Sequence, residues 1–367
     1  MKKRTYKTGS IWFDKTRNKY RATLVTPIGQ RISSSFDTAQ EADIWLSKQK
    51  VEVKEGTFIV PTEDTLGEWV IFFIKTYKRA TLKITSFERL LETARHINKI
   101  SSIQLKDPNN ALIIQEFYNS SGLSVPTIRK VHLLLGASIK KAFELGKIKK
   151  NFMQFVVQPK QSTRKEIKIL TQEEVKTIID YILKKPEILR TDEIILIGLT
   201  SGMRLGEISA LRICDINFKE NTISVFNNLQ YSKIRGLIIS SPKTKKSIRK
   251  ITVPEGVIKI LGERIKKRDT KNKEDLVFVT SSNKPMAPRN TYRAWHILLD
   301  KLGIEVKSFH TIRHSHASHL LANGTPINNV SSRLGHSLIS TTLDLYGHAI
   351  PNSDIATSSK VAELYNI

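Results

Sequence analysis

His310-Thr311-Ile312-Arg313-His314-Ser315-His316-Ala317-Ser318-His319-Leu320-Leu321 places four of the chain's nine histidines within ten residues, around one arginine. Helical spacing pairs His310 with His314 (i, i+4) and His316 with His319 (i, i+3), so a metal site has to be weighed. Those pairs turn to different faces, no Asp or Glu lies inside the stretch, and Arg313 would repel a cation. No outer partners that would orient metal ligands can be identified either. His310 and Arg313, one turn apart on one face, make a better pair for a phosphate oxygen.

Working upstream, the apolar run Ile194 to Leu199 stops at Thr200-Ser201-Gly202, and a new helix carries Leu205, Ile208 and Leu211. Arg204 is therefore expected in the first turn of a helix, where free N–H groups and the helix dipole favour an anion. Glu207, three residues on, can orient its guanidinium; taken alone, the spacing more often means an ordinary helix surface pair. Thr222 to Val225, Gly236 to Ser240 and Ile248 to Val253 read as strands, with Pro242 to Ser247 as the last turn. A basic tip on such a β-hairpin can reach into DNA, and one lysine there can donate a proton. Charge does not choose among Lys243, Lys245 and Lys246, and a solvated turn carries such a run equally well.

Downstream lie Leu334-Gly335-His336 and Thr342-Leu343-Asp344-Leu345-Tyr346. A lone tyrosine is ordinarily a packing residue. In this company it completes a set: cations for phosphate oxygens, a proton donor for a leaving oxygen, and a nucleophile. That is what cutting a phosphodiester without a metal requires.

Composition points the same way. Sixty Lys and Arg against 34 Asp and Glu give a formal net charge of +26, more than solubility needs, so a polyanionic partner is expected. A membrane surface is disfavoured: there is no apolar run of about 18 residues, and polar residues follow Met1 to Tyr6 where a signal peptide would have its apolar core. The chain reads as soluble and intracellular. Cys214, the one cysteine, can form neither an intrachain disulfide nor a thiolate zinc site.

At 367 residues more than one domain is expected. Ile11-Trp12-Phe13, Lys19 to Leu24 and the alternation Ile32, Ser34, Phe36 suggest three strands turning at Asn18 and Gly29. A helix opens at the capping box Thr38-Ala39-Gln40-Glu41, with Ala42, Trp45 and Leu46 on its apolar face. From Thr62 to Lys150 the chain looks all helical: Leu66, Trp69 and Phe73 share one face, Phe87, Leu90 and Leu91 another, and Leu112, Ile113 and Phe117 a third. A fourth helix from Pro126 carries Ile128, Val131, Leu135, Ile139 and Phe143 and stops at Gly146. Gln158 to Lys168 is polar and basic, without apolar period, and reads as a linker. A further capping box, Thr171 to Glu174, opens the last segment. The expected fold class is α+β multidomain: a three-stranded β plus helix domain (1–60), an all-α domain (62–157), a linker (158–169) and a mainly α domain with a small antiparallel sheet (170–367).

Thr200-Ser201-Gly202-Met203-Arg204-Leu205-Gly206-Glu207, the turn lysine, His310-x-x-Arg313, Leu334-Gly335-His336 and Thr342-x-x-x-Tyr346 resemble, in order and spacing, the tyrosine recombinases, or phage integrase family. The resemblance runs from about Thr171 to the end. The helical segment resembles that family's core-type DNA-binding domain. The N-terminal unit resembles the arm-binding domain of integrases from phages and conjugative transposons, which favours a mobile-element integrase over a chromosome-dimer-resolving recombinase.

The resemblance implies that Tyr346 attacks the scissile phosphate, leaving a 3′-phosphotyrosyl bond and a 5′-hydroxyl. Arg204 and Arg313 would hold the non-bridging oxygens, and His310 would contact the phosphate and take the tyrosine's proton. Lys243 in Pro-Lys-Thr matches the hairpin lysine that protonates the leaving oxygen, with Lys245 as fallback; His336 would donate to the phosphate, and Glu207 would support. His314, His316 and His319 are left as helix or packing residues. Lys19, Arg21, Arg31, Lys245 and Lys246 would contact DNA. The implied partners are double-stranded attachment sites, a homotetramer on two duplexes, an excisionase and a host DNA-bending protein. The tail from Pro351 would pack on a neighbouring protomer. No cofactor or metal is called for, and the implied setting is the cytoplasm and nucleoid of a bacterial host. The rivals are a type IB topoisomerase, a non-catalytic DNA-binding regulator and a metal nuclease. DNA affinity should fall with salt at a log–log slope of about −0.9 per phosphate neutralised; a binding series across ionic strength that stays flat would remove the polyanion argument.

Overall fold

The computed structural model describes residues 9–25, 31–54, 63–160, 168–241, 247–268, 270, 272–346 and 354–365. The chain forms two compact units, Met1–Thr163 and Arg164–Ile367. No helix of the described residues is long and apolar enough to cross a membrane.

The first unit opens with β1 (Gly9–Asp14), β2 (Lys19–Val25) and β3 (Arg31–Phe36), an antiparallel sheet in that order. Asn18 makes the first turn in the left-handed region; Gly29 lies outside the described residues. Side chains alternate across the sheet. Ile11, Tyr20, Ala22, Leu24, Ile32 and Phe36 face α1 (Ala39–Lys54) and close over its Ala42 and Leu46. The Thr38–Glu41 box forms as expected, with Glu41 N–H donating to Thr38 Oγ1 and Thr38 N–H to Glu41 Oε2. The register Trp12↔Arg21↔Ser35, Asp14↔Lys19 and Val25↔Arg31 puts Trp12, Lys19, Arg21 and Arg31 on the opposite face.

A separate core joins α2 (Leu66–Phe73), α3 (Ile84–Arg95), α4 (Asn110–Ser120) and α5 (Val125–Glu144). Trp69 is its largest buried side chain, and its indole N–H donates to the Ser138 carbonyl across α2 and α5. Two expected core positions differ. Leu112 and Phe143 are exposed, and Ile114 and Ala142 take the buried places.

In the second unit α6 (Gln172–Leu183) starts at the Thr171–Glu174 box. Helix α7 (Arg190–Ser201) is buried nearly all round, and α8 (Leu205–Ser209) follows at once. Around them stand α9 (Glu255–Lys266), α10 (Pro288–Lys301), α11 (His310–Ala322), α12 (Ile327–Leu334) and α13 (Ile339–Tyr346), and a last helix, α14 (Asp354–Tyr365), follows in the chain. The β region departs from the expected hairpin. β4 (Ile216–Asn217), β5 (Thr222–Val225) and β8 (Arg249–Thr252) form one sheet, whereas β6 (Asn228–Ser232) pairs with β7 (Gly236–Ser240) in another. Among the described residues, β7 and β8 are therefore not partners; 242–246, the bulk of the expected turn, lies outside the described residues. The strand β6 goes unnoticed in the sequence because its Asn-Leu-Gln-Tyr-Ser run is mostly polar.

Gly206 in α8 lies against this second sheet, where an added Cβ would sit 2.3 Å from Asn228 Oδ1 and 2.6 Å from the Leu229 carbonyl oxygen. The backbone cannot yield as a flexible side chain can. Gly206→Ala should cost about 1–3 kcal/mol, read as a lower denaturation midpoint for the second unit.

Candidate active site

Helix α7 ends because Gly202 adopts a left-handed C-cap (φ 67°), a conformation a side chain would strain. A Cβ there would also lie 2.6 Å from His316 Cδ2. This tight turn delivers Arg204 to the N-cap of α8, one position ahead of the expected first turn. Its N–H donates to Glu207 Oε2 and its Nη1 to Glu207 Oε1, both at 2.9 Å.

Glu207 is buried and is shared with a residue that sequence reasoning missed. Arg249, at the start of β8, donates Nη2 to Glu207 Oε2 (2.8 Å) and Nη1 to Oε1 (3.2 Å). Burial alone would raise the Glu207 carboxyl's pKa, but hydrogen bonds and charge from Arg249, then Arg204, hold it down to about 2. Arg249 also donates Nε to the Arg333 carbonyl at 2.8 Å, tying the end of α12 to the same carboxylate. Gly335, left-handed at φ 68°, packs on that guanidinium, where a Cβ would approach Arg249 Cδ and Nη1 to 3.0 Å. An isolated arginine opening a polar strand carries no signal by which sequence alone would find this role.

Arg313, on α11, is only 2% exposed. It donates Nη1 to the Gly202 carbonyl (2.9 Å) and Nη2 to the Leu334 carbonyl (2.6 Å), joining the two left-handed turns. Burial first, then Arg204 and Arg249, against the opposing pull of Glu207, bring its pKa down to about 9, so it remains a cation at neutral pH. His336 Nδ1 bonds Thr342 Oγ1 at 2.8 Å. Burial, then Arg313 and Arg204, push His336 down to about 4. His310 is solvent-exposed by area but is also held near 4, by loss of solvation around the ring and by His314, Arg313 and Arg204. Both imidazoles are neutral at pH 7.

Arg204, Glu207, Asn228, Gln230, His336 and Thr341 line one cleft of about 380 Å3. Ser241 and Ser247 line it as well, so the two residues flanking 242–246 are at its wall. Lys243, Lys245 and Lys246 lie outside the described residues.

Tyr346 ends α13 and is 1% exposed. Burial raises its pKa against the lowering influence of Arg313 and Arg204. Its hydroxyl bonds His314 Nδ1 at 2.6 Å. The resemblance implies that contact for His310 and leaves His314 as a helix or packing residue; the structure places His314 on the tyrosine and sets the His310 ring edge-on to the His314 ring, with centroids 4.6 Å apart. His316 and His319 are structural. His316 bonds the Leu199 carbonyl through Nδ1 and accepts from Arg333 Nε at Nε2, and His319 bonds the Leu170 carbonyl. Lys19 pairs with Asp37 (3.2 Å), Arg21 bonds Ser33 Oγ and lies over Trp12, and Arg31 is exposed.

The description "Phage integrase family" matches residues 168–352, half of the chain. The chain belongs to the phage integrase family. It is a tyrosine recombinase, an enzyme that breaks and rejoins DNA. Over 374 aligned residues, covering 92% of this chain and 93% of the relative, it is 26% identical to a "Tyrosine recombinase XerC-like" protein of Caldanaerobacter subterraneus subsp. tengcongensis. Its fold is similar to the Tn1549 transposon integrase, solved in complex with a circular intermediate DNA (TM-score 0.66, 20% identity, 82% of this chain and 99% of that one). It is also similar to the lambda integrase, solved as a tetramer bound to a Holliday junction (TM-score 0.56, 14% identity, 96% and 99%).

Removing Arg249 would leave Glu207 buried with half its cations. Arg249→Met should destabilise the second unit by about 3–5 kcal/mol, and adding Glu207→Gln should recover part of that loss in thermal unfolding. Because the folded Glu207 pKa lies below its ordinary 4.5, its contribution is full above about pH 4.5 and is lost as pH falls towards 2. In an acid titration of stability, Glu207→Gln should remove that part of the slope.

Proposed function

We propose that this recombinase integrates and excises a mobile element by cutting each strand through Tyr346. The observation that carries the reading is the convergence of Arg204, Arg313, His336 and Tyr346 around two left-handed turns, in a chain whose net charge is +26. The phosphorane-like transition state concentrates negative charge on the non-bridging oxygens. Arg313 spends two of its five N–H donors on carbonyls and Arg204 spends one on Glu207, leaving donors for charge-assisted bonds to those oxygens. Neutral His310 and His336 add hydrogen bonds without adding to the repulsion among the arginines. Lys243 protonates the leaving 5′-oxygen, which is a poor leaving group otherwise. Glu207 orients Arg204.

The division into an arm-type domain (1–60), a core-type domain (62–157), a linker (158–169) and a catalytic domain (170–367) belongs to the same proposal. In the first of these, Lys19, Arg21 and Arg31 share the sheet face that α1 leaves uncovered, which suits the backbone and groove of a duplex. Lys245 and Lys246, in the basic run Lys243 to Lys246, add cations for DNA contact. The substrates are double-stranded attachment sites, and four protomers exchange strands between two duplexes, with the tail from Pro351 bridging neighbours. An excisionase and a host DNA-bending protein set direction, in the cytoplasm and at the nucleoid of the bacterial host.

The test uses nicked duplex DNA from the ends of the encoding element, in EDTA. The parent chain should form a covalent adduct that survives a denaturing gel and maps to the Tyr346 peptide, and Tyr346→Phe should bind the same DNA and form none. Tight binding without an adduct from the parent would mean a regulator, and relaxation of one duplex without joining two would mean a topoisomerase.

A further inference from the structure

We infer that His314, and not His310, is the base that takes the proton from Tyr346. This rests on the recombinase reading above and assigns one step within it.

His314 Nδ1 lies 2.6 Å from Tyr346 Oη, inside the range for a strong O–H···N bond and within reach of proton transfer without rearrangement. The contact is a built one. Helix α11 holds His314 on the face that meets α13, Tyr346 is sealed from solvent, and the two rings sit 5.5 Å apart. His310, one turn earlier, presents its ring at 85° to the His314 ring. It braces that ring while keeping its own solvent-exposed side for a phosphate oxygen. The other two histidines of the stretch are excluded, since His316 and His319 spend ring nitrogens on carbonyls and on Arg333.

For Nδ1 to accept from the phenol, His314 must be neutral with its proton on Nε2. Burial and the adjacent Arg313 favour that neutral form. In the forward step Tyr346 Oη bonds to phosphorus as its proton passes to His314 Nδ1. The P–O5′ bond breaks, its electron pair goes to O5′, and O5′ takes a proton from Lys243. The adduct then holds His314 as an imidazolium. In rejoining, the 5′-hydroxyl attacks phosphorus and gives its proton back to the neutral Lys243 amine, the Oη–P bond breaks with its electron pair on Oη, and Nδ1 returns the proton to Oη. A neutral base suits this position. It adds no cation to the arginine cluster before the phosphate arrives, and it becomes charged only beside the phosphodiester's negative charge.

The experiment measures single-turnover adduct formation on nicked element-end DNA, with oxygen or sulfur as the bridging atom on the 5′ side. His314→Ala should slow the reaction by about 10²–10⁴-fold on both substrates, with DNA binding unchanged, because a sulfur leaving group relieves only the loss of the acid. His314→Asn, which keeps a hydrogen-bonding group near the Nδ1 position but cannot carry a proton, should be nearly as slow. A His314→Asn rate equal to the parent's, or sulfur rescue of His314→Ala, would overturn the assignment and leave the recombinase reading intact; an adduct-free parent would overturn both. The unaltered chain provides a second readout. In 15N-histidine NMR of its covalent adduct, His314 should carry protons on both ring nitrogens, and a neutral ring there would refute the inference.

Discussion

The buried carboxylate of Glu207, clamped between Arg204 and Arg249, is the interaction on which the rest of the site depends. Three guanidiniums stand close together, and at this separation in a partly dry site their repulsion is costly. One anion offsets it. Through Arg249 the same carboxylate reaches the Arg333 carbonyl, and Arg333 in turn reaches His316 and the Thr200 carbonyl. Arg313 closes the circuit by joining the Gly202 and Leu334 carbonyls. The ends of α7 and α12 are thereby locked to each other, and Arg204 and His336, which follow those ends, inherit fixed positions.

Cations outnumber the anion in this cluster, so it is poised for a further negative group and is not self-neutralised. The histidines keep that excess within bounds. Had His310 and His336 been charged, the pocket would carry two more like charges at short range. Their depressed pKa values are the consequence of the arginines and of burial together.

Much of this was legible in the chain because the informative residues come with strong local signals. Capping boxes at Thr38 and Thr171 open helices where expected, and glycines at 202 and 335 stop helices ahead of Arg204 and His336. Pattern reading failed where the deciding contact is long-range. Arg249 and Glu207 are 42 residues apart, and nothing local distinguishes that arginine from a solvated one. His314 was visible as a histidine, but i, i+4 spacing cannot say which of two stacked rings meets a tyrosine 32 positions away. The two-sheet arrangement escaped notice because alternation identifies strands without identifying partners. Leu112 was misplaced by two positions and Phe143 by one, since on a helix successive residues differ by about 100° in facing.

The burial of Tyr346 has a consequence for fidelity. In the reaction proposed above, a phosphotyrosyl linkage at Tyr346 would be open to water as well as to a DNA hydroxyl, and hydrolysis would leave the strand cut. With its oxygen enclosed beneath α11 and facing an imidazole, the side chain would offer water little approach to a bond formed there. The enclosure that makes the phenol harder to ionise would then also select which nucleophile is able to reverse the proposed cut.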